Sequence, residues 1–398
     1  MIHFSSLLAL RGHGQGLCER LAPVMAQVVR NVAMGTDVTI LSVHSVGVRG
    51  SFDLVPADSS HERLPPGSLT VHECHVIAVR GGKQTVPRDF YVQPDAPDPV
   101  LPDDIVLSLA RRHTADAHVV TQVDETGGEA RTYLVDETLI LKTQRPQQLR
   151  PRTSLAKEVF FLNRLAEVAP ELSVPRVLGY GREQIANGVT VEYTLMMRMP
   201  GVAMRRAHLD DDMRRAVLRQ LGATLRRLHS LSVEPFVASG LFPGDQSFVD
   251  TQIRFGNYFN DLADEIRAAQ TPWRLPLTVE QVGAKVIASV PRSDERAALH
   301  SNPYLEHVFV HPNSGAYSGL IDFGDAYISH PAFDMRRWNR PADREALLQG
   351  YTSERSVSDG FLATWRAVTM LGDVITIAYY PERAAEAEQD LLGLLAQV

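Results

Sequence analysis

Two kinds of hydrophobic periodicity divide this chain at Pro200-Gly201. Before it, strand-length apolar runs dominate: His118 to Val123, Arg131 to Val135, Leu139 to Lys142 and Tyr193 to Met197. One helix interrupts them, Leu155 to Val168, whose Leu155, Val159, Leu162 and Leu165 fall on one face at three- and four-residue spacing. After Pro200-Gly201 the pattern becomes helical over Asp210 to Leu231, Leu277 to Val290, Pro341 to Gln349, Gly360 to Tyr379 and Glu382 to Gln397. Val308 to Val310 and Ser318 to Ile321 flank the turn Pro312-Asn313-Ser314-Gly315 and read as a hairpin set among those helices. A β-β-β-α-β half followed by a helical half predicts two packed lobes.

The first hundred residues differ. Short β-branched runs, Val38 to Val43 and Leu69 to Val79, alternate with Gly and Pro breaks after one early helix, Leu17 to Val32. Gln93-Pro94-Asp95-Ala96-Pro97-Asp98-Pro99, with Pro102 following, is a stiff connection and the expected boundary, after which Asp103-Asp104 start a helix through Arg111 or Arg112. The expected domains are therefore 1–102, a small β-rich unit; 103–199, a β-rich lobe; and 200–398, a mainly helical lobe.

Composition narrows the function. A net charge of −7 carries no global basic field of the kind that draws nucleic acid or an anionic membrane, so neither is an expected partner. Two cysteines, Cys18 and Cys74, exclude a disulfide scaffold and fit a reducing compartment. No basic leader precedes Leu7 to Leu10 and no stretch reads as long enough to span a bilayer, so the expected location is cytoplasmic. Oligomeric state is not legible. His72-Glu73-Cys74-His75 would split across two faces of a strand, and Gly12-x-Gly14-x-Gly16 has the wrong spacing for a dinucleotide fingerprint. His229 closes its helix, where a histidine commonly satisfies the last carbonyls.

The chemistry concentrates at Leu320-Ile321-Asp322-Phe323-Gly324-Asp325, where an apolar strand delivers a carboxylate just before a glycine that lets the chain turn away. That arrangement suits a ligand for a hard cation such as Mg²⁺. Upstream stands Leu299-His300-Ser301-Asn302-Pro303-Tyr304-Leu305-Glu306-His307-Val308-Phe309-Val310. Here the sequence resembles the catalytic loop of the aminoglycoside phosphotransferase family: His-Gly-Asp, four intervening residues, Asn or sometimes His, then a strand, a turn and a strand carrying the metal-binding Asp. The resemblance covers about residues 103–398 and implies an α+β, two-lobed protein-kinase-like fold preceded by the small β-rich N-terminal domain. By it, Asn302 occupies the catalytic-base position, and His307 and Asp322 are the metal contacts, for Mg²⁺ or Mn²⁺. His330-Pro331-Ala332-Phe333-Asp334 resembles the segment whose Asp ties down the loop.

The same resemblance makes Lys142 the residue that neutralises the α- and β-phosphates of ATP or GTP, held by Glu158 from the following helix. Read without it, Lys142 is a strand-end charge and Glu158 a helix-surface acid. Gly127-Gly128 either covers phosphates with backbone N–H groups or is a plain hairpin turn. Met197 and Met199, in Met196-Met197-Arg198-Met199-Pro200-Gly201, either wall an adenine pocket at the hinge or fill the core. The implied activity is transfer of a γ-phosphoryl group to a hydroxyl of a small molecule, with aminoglycosides, macrolides and other natural products as candidate acceptors; Asp245, Asp250, Asp261, Asp264 and Glu265 are candidate holders of a cationic amino sugar. An amide has no useful basicity at neutral pH, so Asn302 also admits a catalytically impaired pseudokinase that binds nucleotide and regulates or scaffolds. Glu306 and His300 are the nearby alternative bases.

Overall fold

The computed structural model describes residues 38–45, 74–80, 100–124, 130–145, 154–185, 190–245, 247–338 and 340–398. The chain separates into two compact units, Met1–Pro87 and Arg88–Val398. In the first, β1 (Val38–Ser45) and β2 (Cys74–Arg80) pair antiparallel. The expected helix over Leu17 to Val32 and the Gly12 cluster lie outside the described residues.

The second unit begins with α1 (Asp103–Ala110), whose first-turn Asp103 and Asp104 face the positive end of its dipole. Strands β3 (Val120–Asp124), β4 (Ala130–Val135) and β5 (Leu139–Gln144) follow, and α2 (Leu155–Val168) has the predicted bounds. Ser154 caps α2 by accepting from the Lys157 N–H at 3.1 Å. A strand absent from the sequence reading comes next: β6 (Val177–Gln184) is the edge of a five-stranded antiparallel sheet ordered β3-β4-β5-β7-β6, with β7 spanning Thr190–Met197. Gly179, Gly181 and its charged tip (Arg182-Glu183-Gln184) give β6 little of the apolar alternation by which a strand is recognised. Tyr133, Leu141 and Tyr193 bury one sheet face against α1, completing a small core.

Beyond the hinge, β8 (Val202–Ala203) leads to α3 (Asp211–His229), α4 (Glu234–Ala238), α5 (Phe248–Ala268) and α6 (Val279–Ser289). Then come β9 (Ala297–Leu299), β10 (Val308–Val310), β11 (Tyr317–Leu320), β12 (Tyr327–Ser329), α7 (Pro341–Tyr351), α8 (Asp359–Tyr379) and α9 (Ala384–Leu395). The predicted hairpin is β10–β11, with β8 paired to the far edge of β10. Strands β9 and β12 pair with each other, fixing the two ends of the segment that carries Asn302, His307 and Asp322. The two-lobed architecture, an antiparallel sheet joined to a helical lobe, agrees with the sequence expectation. The larger core fills the helical lobe and reaches the sheet through Phe161, Leu165 and Met196.

Two contacts set the geometry of the helical lobe. Gly222 of α3 and Gly350 of α7 lie where a Cβ would overlap a backbone carbonyl of the facing helix, so the axes approach closely only with glycine at both places. One expectation is corrected at α8, which by length and composition is long and apolar enough to cross a bilayer. Most of its apolar stretch is packed in the core, with Val368, Met370, Leu371, Val374 and Ile377 fully buried, as a central helix of a globular lobe requires.

Candidate active site

The predicted lysine and the two predicted carboxylates meet. Lys142 on β5 places its ammonium 2.8 Å from Glu158 Oε2 and 3.1 Å from Asp322 Oδ1. Burial depresses the Lys142 pKa, but Asp322 and Glu158 outweigh that effect and hold it above its ordinary value, so it stays charged. The recessed position of Asp322 opposes its charge, though less than full burial would because the carboxylate opens to solvent on one side, and Lys142 and then His307 pull its pKa well below the usual carboxylate range. Glu158 shifts the other way, because its burial outweighs the pull of Lys142. The Asp322 side chain keeps 41% of its surface exposed, whereas Glu158 keeps 1%, so only Asp322 remains open to a ligand.

Helix α2 is what brings the two lobes' groups together. Ser154 donates its N–H to Gly324 C=O at 3.3 Å, and the buried Lys157 ammonium donates to Ala326 C=O at 2.8 Å. Phe323, fully buried, packs on Phe161 of α2 at 5.0 Å and on His300 at 4.6 Å between ring centroids. Burying a phenylalanine contributes roughly 1.5–3 kcal/mol, so the residue beside Asp322 anchors that loop to α2. Sequence reasoning missed Lys157; a lysine one residue before Glu158 gave no sign that it would turn inward.

The loop between β9 and β10 carries the other groups. His307 Nδ1 lies 2.8 Å from Asn302 C=O, an acceptor, so that nitrogen carries a proton; its Nε2 faces Asp322 Oδ2 at 3.2 Å. A lone pair on Nε2 directed at a carboxylate requires a cation between them, either a proton or a metal. Asp322 and His307 are the two residues that would hold a divalent cation, which would supply positive charge beside the phosphates. No group of three or more His, Cys, Asp or Glu side chains that could hold a metal ion exists among the described residues. Asn302 Oδ1 is buried and accepts no hydrogen bond.

Backbone strain marks both ends of this arrangement. Ser301 has φ 82° and Asp322 φ 70°, left-handed values unusual for side-chain-bearing residues. Asp334 holds Ser301 in place. Its Oδ2 accepts from the His300 N–H at 2.8 Å and its Oδ1 from the Ser301 N–H at 2.7 Å, as the resemblance implied for a loop-tying aspartate. His229 corrects an expectation: instead of capping its helix it reaches Asp334 Oδ2 at 3.0 Å and Tyr351 Oη at 3.0 Å, because α3 ends beneath the loop.

Neither alternative base is available. His300 accepts the Asn302 N–H at Nδ1 (3.2 Å) and donates from Nε2 to Ile321 C=O (2.8 Å); burial pushes its pKa down to about 4. Glu306 is held by Arg205 at 2.7 Å. At the hinge, Met199 is buried under Gly319 and Met197 is 41% exposed; the N–H groups of Met197 and Arg198 donate to Arg176 and Thr138 carbonyls. Gly127 and Gly128 lie outside the described residues. Three of the five acids expected to hold a cation are otherwise engaged: Asp245 is buried in a multidentate pair with Arg254 (2.8–2.9 Å), Asp250 closes the capping box of α5, and Asp264 pairs with Arg267 at 2.5 Å. Asp261 and Glu265 lie exposed on α5, raised by partial burial and by acidic neighbours.

A strand lysine, its buried glutamate and an aspartate after a second strand, in one cluster between a five-stranded sheet and a helical lobe, go with a kinase-like phosphotransferase fold. The sequence model of the phosphotransferase enzyme family (APH) matches residues 120–365, and the chain belongs to that family. Among solved structures, the GDP complex of wild-type aminoglycoside 2'-phosphotransferase-IIIa is 17% identical with a TM-score of 0.51, covering 75% of this chain and 98% of that one. The apoenzyme of macrolide 2'-phosphotransferase MphH from Brachybacterium faecium is 18% identical with a TM-score of 0.49, covering 73% and 98%. At such identities the likeness to the first of these is one of fold. No curated protein matches the chain.

Proposed function

We propose that this protein transfers the γ-phosphoryl group of ATP or GTP to a hydroxyl of a small molecule, with Mg²⁺ or Mn²⁺. The observation that carries the reading is the Lys142–Glu158–Asp322–His307 cluster. Lys142, fixed by Glu158, binds the α- and β-phosphates, and the exposed Met197 flanks the base at the hinge while Met199 fills the core beneath it; Gly127 and Gly128 belong to the loop over the phosphates. Asp322 and His307 hold the divalent ion, which supplies charge for the leaving and transferred phosphates. In support, the GDP complex of the aminoglycoside 2'-phosphotransferase shares the fold.

Asn302 Oδ1, buried and unpaired in the free protein, receives the acceptor hydroxyl's hydrogen bond once its side chain turns toward the cleft, and aims the hydroxyl oxygen at the γ-phosphorus. The oxygen–phosphorus bond forms as the bond to the β-phosphate bridging oxygen breaks. With no base at hand, the hydroxyl proton passes late to the transferred phosphoryl group, which a loose transition state tolerates. The absent base costs rate, on the order of 10²–10⁴-fold.

The test is transfer of labelled γ-phosphate to a panel of hydroxylated small molecules by wild type and Asn302→Asp. Slow wild-type transfer, raised on the order of 10²-fold or more in Asn302→Asp, is expected. Wild type inert with every acceptor beside an active Asn302→Asp means a nucleotide-binding regulator, the reading Asn302 itself favours as the alternative. No thermal shift with nucleotide and either metal overturns both.

A further inference from the structure

Beside the catalytic loop lies a cavity of about 220 Å³ lined by Arg205, Arg214, Arg337, Arg340 and Arg383 against only two carboxylates, Glu306 and Asp343. Tyr304, in its wall, belongs to the same turn as Asn302, whose C=O accepts the Tyr304 N–H at 2.8 Å, so the cavity lies within two residues of Asn302 along the loop. Its size is below that of a drug-sized site, so it fits a small molecule or the end group of a larger one.

The charges in it do not balance. Arg205 is matched by Glu306 at 2.7 Å, Arg214 by both oxygens of Asp343 at 2.6–2.7 Å, and Arg383 faces Glu386 at 3.8 Å. Arg337 and Arg340 have no carboxylate within ion-pairing distance among the described residues. Arg337 Nε is buried with no hydrogen-bond partner, and its guanidinium lies over the Tyr304 ring at 5.8 Å. Burial, then the neighbouring Arg336, press its pKa below the ordinary value, the strain expected of a buried cation awaiting a counter-charge. Of the acids of the α5 region, Asp245 is buried with arginine and Asp250 is spent on a helix cap, and none of them lines this cavity.

We infer that the acceptor is anionic: a small hydroxylated molecule whose phosphate or carboxylate group is bound by Arg337 and Arg340 while its hydroxyl lies at Asn302. Guanidinium groups match both oxyanions through paired N–H donors. The inference rests on the phosphotransferase reading for the word acceptor, and on the cavity alone for the anion.

The test is calorimetric titration of the intact protein at low salt, with a non-hydrolysable ATP analogue and Mg²⁺ saturating the nucleotide cleft. The probes are glycerol 3-phosphate, glycerate, glycerol and 2-deoxystreptamine. One or both anions bind, which also separates phosphate from carboxylate as the recognised group; glycerol and the diamine do not. Arg340→Ala, an exposed change that spares the fold, weakens anion binding about tenfold or more, and Arg337→Met does likewise. The inference is overturned if neither anion binds, if the diamine binds instead, or if both variants bind anions as wild type does. Anion binding without any nucleotide binding sinks the phosphotransferase reading and leaves the anion site standing; the converse pattern sinks the anion site alone.

Discussion

Replacing Asp334 with asparagine removes one acceptor oxygen from a fully buried carboxylate that serves three donors. The amide oxygen is best kept at the Oδ2 position, where it retains His300 N–H and His229. The amide nitrogen then faces the Ser301 N–H across 2.7 Å, donor against donor. Burial raises the Asp334 pKa, but the His229 hydrogen bond and charge prevail and keep it ionised, so the lost bonds are charge-assisted. One such bond is worth about 1.5–3 kcal/mol and an unsatisfied buried donor costs about 1–3 kcal/mol more, giving a loss of roughly 3–5 kcal/mol. Urea unfolding followed by tryptophan fluorescence measures it, with Trp338 as a local reporter because its indole donates to Pro303 C=O at 2.8 Å. A loss under about 1 kcal/mol would refute the view that Asp334 carries the strained loop.

Ser301→Gly should stabilise the protein by about 0.5–1 kcal/mol, because relief of the left-handed backbone at φ 82° (about 1–2 kcal/mol) exceeds the extra chain entropy of glycine (about 0.5–1 kcal/mol); measurable destabilisation in the same urea assay counts against this. His300 produces acid sensitivity. Its folded pKa of about 4 lies below the unfolded 6.5, so the unfolded chain takes the proton first; stability is full above pH 6.5 and falls by about 3 kcal/mol as pH drops toward 4. In His300→Gln the slope of stability against pH over that window should flatten, whatever the absolute stability, and an unchanged slope would remove His300 as its source.

Much of this was written in local pattern. The 3.6-residue stripe of Leu155, Val159, Leu162 and Leu165 defined α2 to the residue, and the spacing from His300 through His307 to Asp322 placed the loop, hairpin and carboxylate in order. Strand β6 escaped because its pairing with β7, not its own composition, makes it a strand. Asp245 and Asp264 read as holders of a cation because their partners Arg254 and Arg267 become neighbours only once α5 is formed and packed. His229 looked like a helix cap because Asp334, 105 residues on, is invisible to local reasoning.

Periodicity and spacing act within a few residues, so the chain by itself determined most of the sheet, the hairpin and most of the helices, and singled out Lys142, Glu158, Asn302, His307 and Asp322 as candidates; α4, α5 and the short strands β8, β9 and β12 were not legible in it. Tertiary structure decided which charges are paired. Lys142 lies 180 positions from Asp322 in sequence and 3.1 Å away in space, Glu306 is held by Arg205, and Arg337 is left without a carboxylate beside the loop. Ion pairing falls off over a few ångströms and depends on burial, and neither distance nor burial across a hundred residues is encoded in local pattern.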